Sequence, residues 1–250
     1  MTPGAAGPAP TVSAGGVVSA ASFQPGIVPG SYVTIFGTNL SPVAFDTWDK
    51  GIVNGVLPTS LDGVRVDIGS KPAFVYRIFP NQIDVQAPDV GTGPVPVTVT
   101  TPGGTSVAVT ANVVAQSPAF FLWPGNQVVA TRNADGSWAV KDGTFAGATT
   151  VAAKPGDVLL LWGTGFGPTT PPVAAGILVP GDKIYNTSPV SVKIGTADAL
   201  VIYGLLSPGY AGLYQVAIQV PASMADGDYA LKATVSGASS PDGVTLSVKK

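Results

Sequence analysis

Residues 29–40 read Pro-Gly-Ser-Tyr-Val-Thr-Ile-Phe-Gly-Thr-Asn-Leu, and residues 155–166 read Pro-Gly-Asp-Val-Leu-Leu-Leu-Trp-Gly-Thr-Gly-Phe. In both stretches a Pro-Gly turn precedes a run of β-branched, aromatic and aliphatic residues, and the run ends at Gly-Thr. The two stretches lie 126 positions apart. Each predicts one core strand, so the chain carries the same strand twice.

Further blocks repeat in the same order. At the same offset, Val64–Gly69 aligns with Val190–Gly195. A seven-residue insertion near Leu206–Gly212 then moves the offset to 133, where Gln82–Pro88 aligns with Gln215–Pro221. We interpret these blocks as two copies of one domain. A solenoid is disfavoured because the period far exceeds the roughly 20–50 residues of such repeats.

The composition favours strands over helices. The chain has no Glu and only 12 Lys and Arg, and its 32 Gly and 24 Pro interrupt most windows in which a helix could form. Each copy instead contains about seven short runs of strand-forming residues between turn residues. Pro96, within one such run, predicts an edge strand because proline cannot donate to a ladder. The sequence therefore predicts an all-β chain of two tandem immunoglobulin-like β-sandwich domains.

The predicted boundaries follow from the repeat and from one linker-like segment. Residues 1–16 have the composition of a linker and form a flexible or strand-donating N-terminal tail. The first domain is predicted at 17–116 and the second at 117–250, each immunoglobulin-like.

The residue types exclude many kinds of catalysis. All 14 acidic residues are Asp, and the chain has no His and no Cys. A Ser-His-Asp or Cys-His site, an imidazole or thiolate metal site and a disulfide are therefore impossible. The closest pair of acids, Asp226 and Asp228, flanks a glycine and is interpreted as a turn between strands. We expect a non-enzymatic protein.

One segment resembles a calcium loop. Thr131, Asn133, Asp135 and Asp142 have the spacing of oxygen ligands, but a β-hairpin turn explains the same residues without a metal. The prediction is no cofactor, with calcium as the open alternative.

Charge and hydropathy exclude two classes of partner. The formal net charge is −2, which provides no basic patch for nucleic acid or anionic lipid. No stretch approaches the eighteen or so apolar residues of a membrane span. A charged segment followed by an apolar one is missing at the N-terminus, so the sequence given shows no signal peptide.

The quoted blocks resemble a known family. Residues 29–40, Val64–Gly69, Asn81–Pro88 and Val95–Val99 are similar to an IPT/TIG domain, which implies an immunoglobulin-like fold common in extracellular and cell-surface proteins. The tandem form resembles the C-terminal module of secreted acidobacterial proteins. That resemblance is carried by Ala20–Phe23, Leu57–Val64, Ala211–Val216 and Gln219–Pro221. It implies an extracellular or cell-surface location and no catalytic residues.

The N-terminal tail is the candidate assembly element. Thr11, Val12 and Ser13, followed by Val17 and Val18, offer alternating small apolar side chains suited to an added strand. The surface has few charges that would protect strand edges from pairing. We expect this tail to dock on a neighbouring copy or on a host surface protein; a tail folded back on its own domain is the alternative.

Loop aromatics suggest a second function. Trp48 lies between Asp46 and Asp49, and Tyr185 follows Asp182 by three residues. Such aromatics could stack on a sugar while carboxylates bind its hydroxyls, or they could pack inward at the ends of the sandwiches. The leading function is therefore a secreted structural or adhesive surface module that self-assembles into a fibre or array. The alternative is a carbohydrate-binding accessory module.

Overall fold

The computed structural model describes residues 7–250, and these confirm the predicted all-β fold of immunoglobulin-like β-sandwiches. Within them the backbone forms 23 strands and two single 3-10 turns, Trp48–Lys50 and Pro124–Asn126. The short Val-, Ile- and Thr-rich runs form the strands, and Gly or Asn residues with positive φ close many of the turns between them.

The chain divides into two compact units. Unit 1 contains the described residues up to Ala115, together with Val173–Gly181 and Pro208–Gly212. Unit 2 contains Gln116–Pro172, Asp182–Ser207 and Leu213–Lys250. The sequence assigned the two short segments to the second domain, whereas in the structure they are part of unit 1. One of them covers most of the insertion that interrupts the repeat.

Unit 1 is a sandwich of two antiparallel sheets. Its strands are β1 (Thr11–Ser19), β2 (Tyr32–Thr38), β3 (Asp46–Thr47), β4 (Arg65–Ile68), β5 (Lys71–Pro72), β6 (Phe74–Phe79), β7 (Gln82–Gln86), β8 (Gly93–Thr101), β9 (Gly104–Thr105) and β10 (Val109–Val113). The first sheet has the order β1-β2-β7-β6-β3. The second has the order β10-β8-β4-β5, with β9 paired to β8.

The core of unit 1 lies between its two sheets. Ile35, Ile83 and Ile78 from the first sheet are fully buried in one cluster with Val66 and Val99 from the second. Residues that alternate with these buried ones along β2, β7 and β6 lie on the outer face of the first sheet.

Unit 2 repeats this strand order. Its strands are β11 (Ala119–Phe120), β12 (Leu122–Trp123), β13 (Gln127–Val128), β14 (Ala130–Arg132), β15 (Val158–Thr164), β16 (Thr169–Thr170), β17 (Asn186–Thr187), β18 (Val190–Ile194), β19 (Ala197–Leu206), β20 (Tyr214–Gln219), β21 (Gly227–Val235), β22 (Ala238–Ser239) and β23 (Thr245–Val248). The order β11-β15-β20-β19 corresponds to β1-β2-β7-β6. Strand β19 joins the two layers, because its start pairs with β18 and its remainder with β20.

The candidate assembly element, β1, pairs within its own chain, as in the alternative of a tail folded back on its own domain, and not with a neighbouring copy as expected. Thr11 and Val12 lie opposite Thr38 and Gly37 of β2, and Val17 and Val18 lie opposite Ile35 and Thr34 after a bulge that contains Ser13. The approach is close: a Cβ on Gly37 would lie 2.0 Å from the Thr11 carbonyl oxygen. Val12, Val17 and Val18 are buried, so apolar burial in cis offsets the entropy of ordering the strand. Residues 1–6 of the predicted tail lie outside the described residues.

The expectation that Pro96 marks an edge strand is wrong. Strand β8 pairs with β10 on one side and with β4 on the other. Ile68, the last residue of β4, lies opposite Val97, so Pro96 stands just past the end of that ladder. Its carbonyl accepts a hydrogen bond from the Gly69 N–H, 2.8 Å away. The proline is therefore tolerated because the ladder ends before it.

Candidate functional site

Three aromatic rings meet on the surface of unit 2. The ring centroids of Trp123 and Trp138 are 5.1 Å apart, and Phe145 lies 5.1 Å from Trp123 and 5.5 Å from Trp138. Trp138 is 49% exposed, whereas the other two are half-buried beside it. We call these three residues the tryptophan cluster. In this cluster the solvent-exposed indole ring of Trp138 packs against the rings of Trp123 and Phe145.

Local chain geometry positions each ring. Trp123 ends β12, and a single 3-10 turn joins it to its partner Gln127 in β13. Trp138 follows a turn closed by Asp135, whose side chain accepts the N–H of Ser137 at 2.9 Å. Arg132 then fixes this segment, because its guanidinium donates to the Trp138 carbonyl oxygen at 2.9 Å.

Arg132 also ties the hairpin to the following segment. Its guanidinium donates to the carbonyl oxygens of Val151 and Ala152 at 3.0 and 2.6 Å and forms an ion pair with Asp157 at 3.1 Å. Arg132 thus connects the backbone at Trp138 to the segment Val151–Asp157.

Unit 2 also contains two clefts. One, of about 490 Å³, is bordered by Pro124 and Thr144, the chain neighbours of Trp123 and Phe145. The other, of about 560 Å³, is lined by Lys154 and Asp226 among others. The ion pair between Lys141 and Asp228 lines both clefts.

The acid of this ion pair is held by further side chains. Lys141 donates to one oxygen of Asp228, and the Ser247 hydroxyl donates to the other. The Lys141 hydrogen bond, followed by that of Ser247, lowers the pKa of Asp228 below the ordinary value of a carboxyl. Gln127 lies next to this pair, since its Oε1 is 2.9 Å from the Ser247 hydroxyl. The cleft therefore holds a fixed, ionised carboxylate at neutral pH.

Trp123 also contains a buried polar atom without a partner. Its indole Nε1 is shielded from solvent and has no hydrogen-bond acceptor among residues 7–250. A buried unsatisfied donor costs about 1–3 kcal/mol. The cluster therefore retains a feature that stability alone disfavours.

The predicted ligand loop of unit 1 does not present its aromatic ring. Trp48 is 6% exposed and packs against Tyr76 and Tyr32, with ring centroids at 4.6 and 6.3 Å. The carboxylates beside it serve their own loop: Asp46 accepts the Thr47 N–H at 2.8 Å, and Asp49 accepts the Thr47 hydroxyl at 2.7 Å. The sugar-stacking role of Trp48 is therefore wrong.

Tyr185 is likewise buried, at 6% exposure, in unit 2. Its hydroxyl donates to Asp182 at 3.0 Å. Tyr185 and Trp48 thus belong to different units, and neither offers a ring face to a ligand. The inward-packing alternative describes both residues.

The residues of the calcium-like spacing take part in turns. Asp135 closes the hairpin turn described above, and Asp142 accepts the Thr150 N–H at 3.2 Å. Within the described part of the chain, no three acidic side chains are grouped to hold a metal ion.

Sequence reasoning missed the tryptophan cluster. The sequence patterns assign no role to Trp138, and they indicate only a turn at Asp228. A signal was present, however: Trp123, Trp138 and Phe145 all fall between residues 116 and 154, outside the aligned blocks of the repeat. Aromatics that a repeat leaves unmatched are candidates for function rather than for the shared core.

One family model matches the first half of the chain. Residues 20–116 match the family model of the IPT/TIG domain, a non-catalytic immunoglobulin-like domain. This match covers less than half of the 250 residues. No curated protein matches the chain. Among residues 7–250, no helix has the length and apolar character needed to cross a membrane.

Several solved structures resemble the chain at low identity. SGBP-B of the Bacteroides ovatus mixed-linkage glucan utilization locus, in complex with a mixed-linkage heptasaccharide, is 13% identical with a TM-score of 0.38; the match covers 100% of this chain and 48% of that one. Domains 5–6 of the S-layer protein SbsC are 14% identical with a TM-score of 0.30, and the match covers 96% and 98% of the two chains. Gamma-CGTase from alkalophilic Bacillus clarkii is 14% identical with a TM-score of 0.30, with 98% and 27% covered. These values transfer no ligand or activity to this chain, which spans about half of the SGBP-B chain.

Proposed function

We propose that this chain is a non-enzymatic, extracellular or cell-surface adhesive module that binds polysaccharide through the tryptophan cluster of unit 2. The observation that carries the proposal is the half-exposed Trp138 ring, which packs against Trp123 and Phe145. The chain neighbours of these two residues, Pro124 and Thr144, line a polar cleft. The IPT/TIG match of residues 20–116 supports a surface module.

The chemistry of the cluster suits a sugar ring. One face of a pyranose carries mainly C–H groups and packs on an aromatic ring, while its hydroxyls need polar partners at the edge. Trp138 supplies the ring. Lys141, Asp228 and Gln127 line the adjoining cleft and supply donors and acceptors for hydroxyls.

The site is organised in advance. Arg132 holds the Trp138 backbone, and Lys141 and Ser247 hold Asp228, so binding requires little ordering of side chains. Preorganisation of this kind lowers the entropic cost of association.

Assembly through the N-terminal strand is not part of this proposal, because β1 pairs with β2 of the same chain. Binding through the tryptophan cluster does not require β1 to separate from β2.

Affinity electrophoresis in gels that contain a soluble β-glucan, α-glucan, xylan or polygalacturonate tests the proposal. The full chain should be retarded by at least one of these polymers, and Trp138→Ala should reduce the affinity by about tenfold or more. Ile184→Ala is the matched control, because Ile184 is 64% exposed in the same unit and lines neither cleft. Equal retardation of Trp138→Ala and Ile184→Ala would contradict the assignment of the site.

A further inference from the structure

A row of phenylalanines crosses the outer face of the first sheet of unit 1. Phe36 on β2, Gln82 on β7 and Phe79 on β6 lie directly opposite one another. Adjacent strands lie about 4.8 Å apart, so Gln82 separates the two phenylalanines by about 10 Å. Phe23 extends the row beside Phe36 with ring centroids 6.1 Å apart, and Phe45 extends it beside Phe79 at 5.0 Å.

The ends of the row are open to solvent. Phe23 and Phe45 are 57% and 55% exposed. Phe23 also has a φ of +54°, in the left-handed region that a bulky aromatic residue rarely adopts. Such backbone conformations cluster at functional sites. We call Phe23, Phe36, Phe79 and Phe45, with Gln82 and Arg77, the phenylalanine strip.

A buried acid anchors the polar residues of the strip. Asp84 is 1% exposed and lies in the next row, between Thr34 and Arg77. It accepts the Arg77 Nε–H, the Thr34 hydroxyl at 2.5 Å and the Gln82 amide N–H groups at 3.0 and 3.1 Å. Among residues 7–250, the hydrogen bonds to this carboxylate come from the side chains of Arg77, Thr34 and Gln82.

This anchoring leaves ligand-binding groups unused. Arg77 binds Asp84 through Nε, and its two terminal nitrogens have no acceptor among residues 7–250. Its side chain is 42% exposed, and its guanidinium lies 5.4 Å from the centre of the Tyr76 ring and 5.8 Å from that of Phe79. Gln82 donates through Nε2, and its Oε1 has no donor within the same residues.

The fold itself does not need this polar row. In unit 2, β15, β20 and β19 have the same order as β2, β7 and β6, and the corresponding row is Leu160, Ala217 and Tyr203. The same sheet thus forms with apolar and aromatic residues at these positions. A carboxylate as buried as that of Asp84 is costly to desolvate, and its replacement by an apolar residue together with its partner is often neutral or stabilising. Stability therefore does not account for Asp84 and Arg77.

We infer that the phenylalanine strip binds a carboxylate-bearing sugar, a hexuronate unit of an acidic polysaccharide. The free fork of Arg77 binds the carboxylate through two parallel hydrogen bonds. Phe36 and Phe79 pack against the C–H faces of successive sugar rings, and the Gln82 Oε1 accepts a hydroxyl. The inference goes beyond the proposed function, because the strip lies on unit 1 and its ligand is charged.

A flat strip favours a sugar chain over a peptide. An extended peptide gains most of its affinity by pairing with a free strand edge. Strands β2 and β7 have a paired neighbour on both sides, and the outer edge of β6 pairs with β3 at Arg77 and Ile78. Rings stacked across a sheet face need no backbone partner.

Isothermal titration calorimetry of the full chain with polygalacturonate and alginate tests the inference. The chain should bind at least one of them, and methyl esterification of polygalacturonate should weaken its binding by about tenfold or more, since the ester removes the charge. Polyaspartate should bind less tightly than the uronate polymer. Failure to bind either uronate polymer, equal binding of the ester, or equal binding of polyaspartate would overturn the inference.

The most informative variant replaces three residues of unit 1 by the residues at the corresponding positions of unit 2. The triple substitution Thr34→Leu, Arg77→Tyr and Asp84→Ala installs the residues that unit 2 carries on the same three strands. It should therefore fold with an unchanged circular-dichroism spectrum. Gln82 would then lie beside a tyrosine hydroxyl, as Gln215 does beside Tyr203 at 3.0 Å. Uronate binding should be lost, and a folded triple variant that binds as well as the parent would overturn the inference.

Two single variants apply whether or not the triple variant folds. Arg77→Lys keeps the charge next to Asp84 but removes the planar fork, and it should lower uronate affinity by about tenfold. Phe79→Ala should do the same, while Leu205→Ala, at the corresponding position of unit 2, should not. Unchanged affinity in both Arg77→Lys and Phe79→Ala would contradict the assignment. Loss of uronate binding in Trp138→Ala alone would place the binding at the tryptophan cluster, which refutes this inference and leaves the proposed function intact.

Discussion

Trp48 and Trp138 show how the same residue type takes opposite roles in this chain. Both stand next to polar residues in segments without long strands, and the sequence alone does not separate them. Trp48 packs against Tyr32 and Tyr76 and is 6% exposed, whereas Trp138 is 49% exposed. The difference is tertiary, since it depends on which aromatics of neighbouring strands reach the loop. Sequence patterns along a loop carry no information of that kind.

We expect Trp48→Ala to destabilise unit 1 by about 3–5 kcal/mol, because it empties a buried aromatic site. It should leave the affinity for polysaccharide unchanged. Urea denaturation and affinity electrophoresis measure the two effects. Trp138→Ala should show the reverse pattern, with a stability loss below about 1 kcal/mol and reduced affinity. A Trp48→Ala variant that stays stable and loses binding would instead support the ligand-binding loop around Trp48 that the sequence suggested.

The pKa of Asp228 gives a pH prediction. Its folded-state pKa is lowered mainly by Lys141, so the ionised form stabilises the fold above the unfolded pKa of about 3.9, and this contribution is lost as the pH falls through the folded pKa. The melting temperature should therefore drop more below pH 4 in the parent than in Asp228→Asn. Asp242→Asn, which removes an exposed partner of Lys232, is the matched control. Parallel pH profiles of the parent and Asp228→Asn would contradict the role of this ion pair.

At the scale of single elements, the repeat blocks were informative because they mark positions that the fold constrains. The block Gln82–Pro88 contains strand β7 (Gln82–Gln86), and the block 29–40 contains strand β2 (Tyr32–Thr38). The glycine that closes the first block has a physical reason in both units: a Cβ on Gly37 or Gly163 would lie 2.0 or 2.4 Å from a carbonyl oxygen of the first strand of the unit. The glycine lets β1 pack closely against β2 of the same chain. The composition of the tail alone does not reveal this pairing.

A glycine in the segment Val173–Gly181 allows a test of how this segment packs on unit 1. Gly176 has a φ of +89°, and a Cβ there would lie 2.2 Å from the Phe74 ring. Its N–H also donates to Gln86 at 2.8 Å. Gly176→Ala should cost about 1 kcal/mol for the backbone and a further 1–3 kcal/mol or so for the overlap with Phe74.

Gly209→Ala isolates the backbone part of that cost. Gly209 has a φ of +80°, but nothing lies within 4 Å of the added Cβ. Urea denaturation should show a loss of about 1 kcal/mol for this variant and a clearly larger one for Gly176→Ala. Equal losses would mean that the segment does not pack on Phe74.

At the scale of the whole molecule, the sequence predicted the fold class but not the complete membership of the units. Unit 1 contains Val173–Gly181 and Pro208–Gly212, with Ala211 buried in its core and Leu178 packed against it. These segments lie far from residues 7–115 along the chain. A boundary drawn from repeats cannot assign them, because their packing is set by long-range contacts with Phe74 and Gln86.

A fragment of residues 1–116 should therefore be less stable than unit 1 in the full chain. It lacks Ala211 and Leu178 and leaves the Gln86 side chain without its Gly176 partner. Hydrogen exchange of peptides from β6 and β7, followed by mass spectrometry, should be faster in the fragment. Equal protection in the two would show that the added segments contribute nothing to the core of unit 1.

The most direct test of the proposed function follows the four indole N–H resonances of Trp48, Trp123, Trp138 and Trp162 by NMR. Each resonance is assigned with a single Trp→Phe variant, and the full chain is titrated with the polysaccharide that retards it in gels. We expect the signals of Trp123 and Trp138 to shift together and saturably, while those of Trp48 and Trp162 stay in place. Shifts confined to Trp48 or Trp162, or no shift at Trp138 in the presence of a polymer that binds, would contradict it.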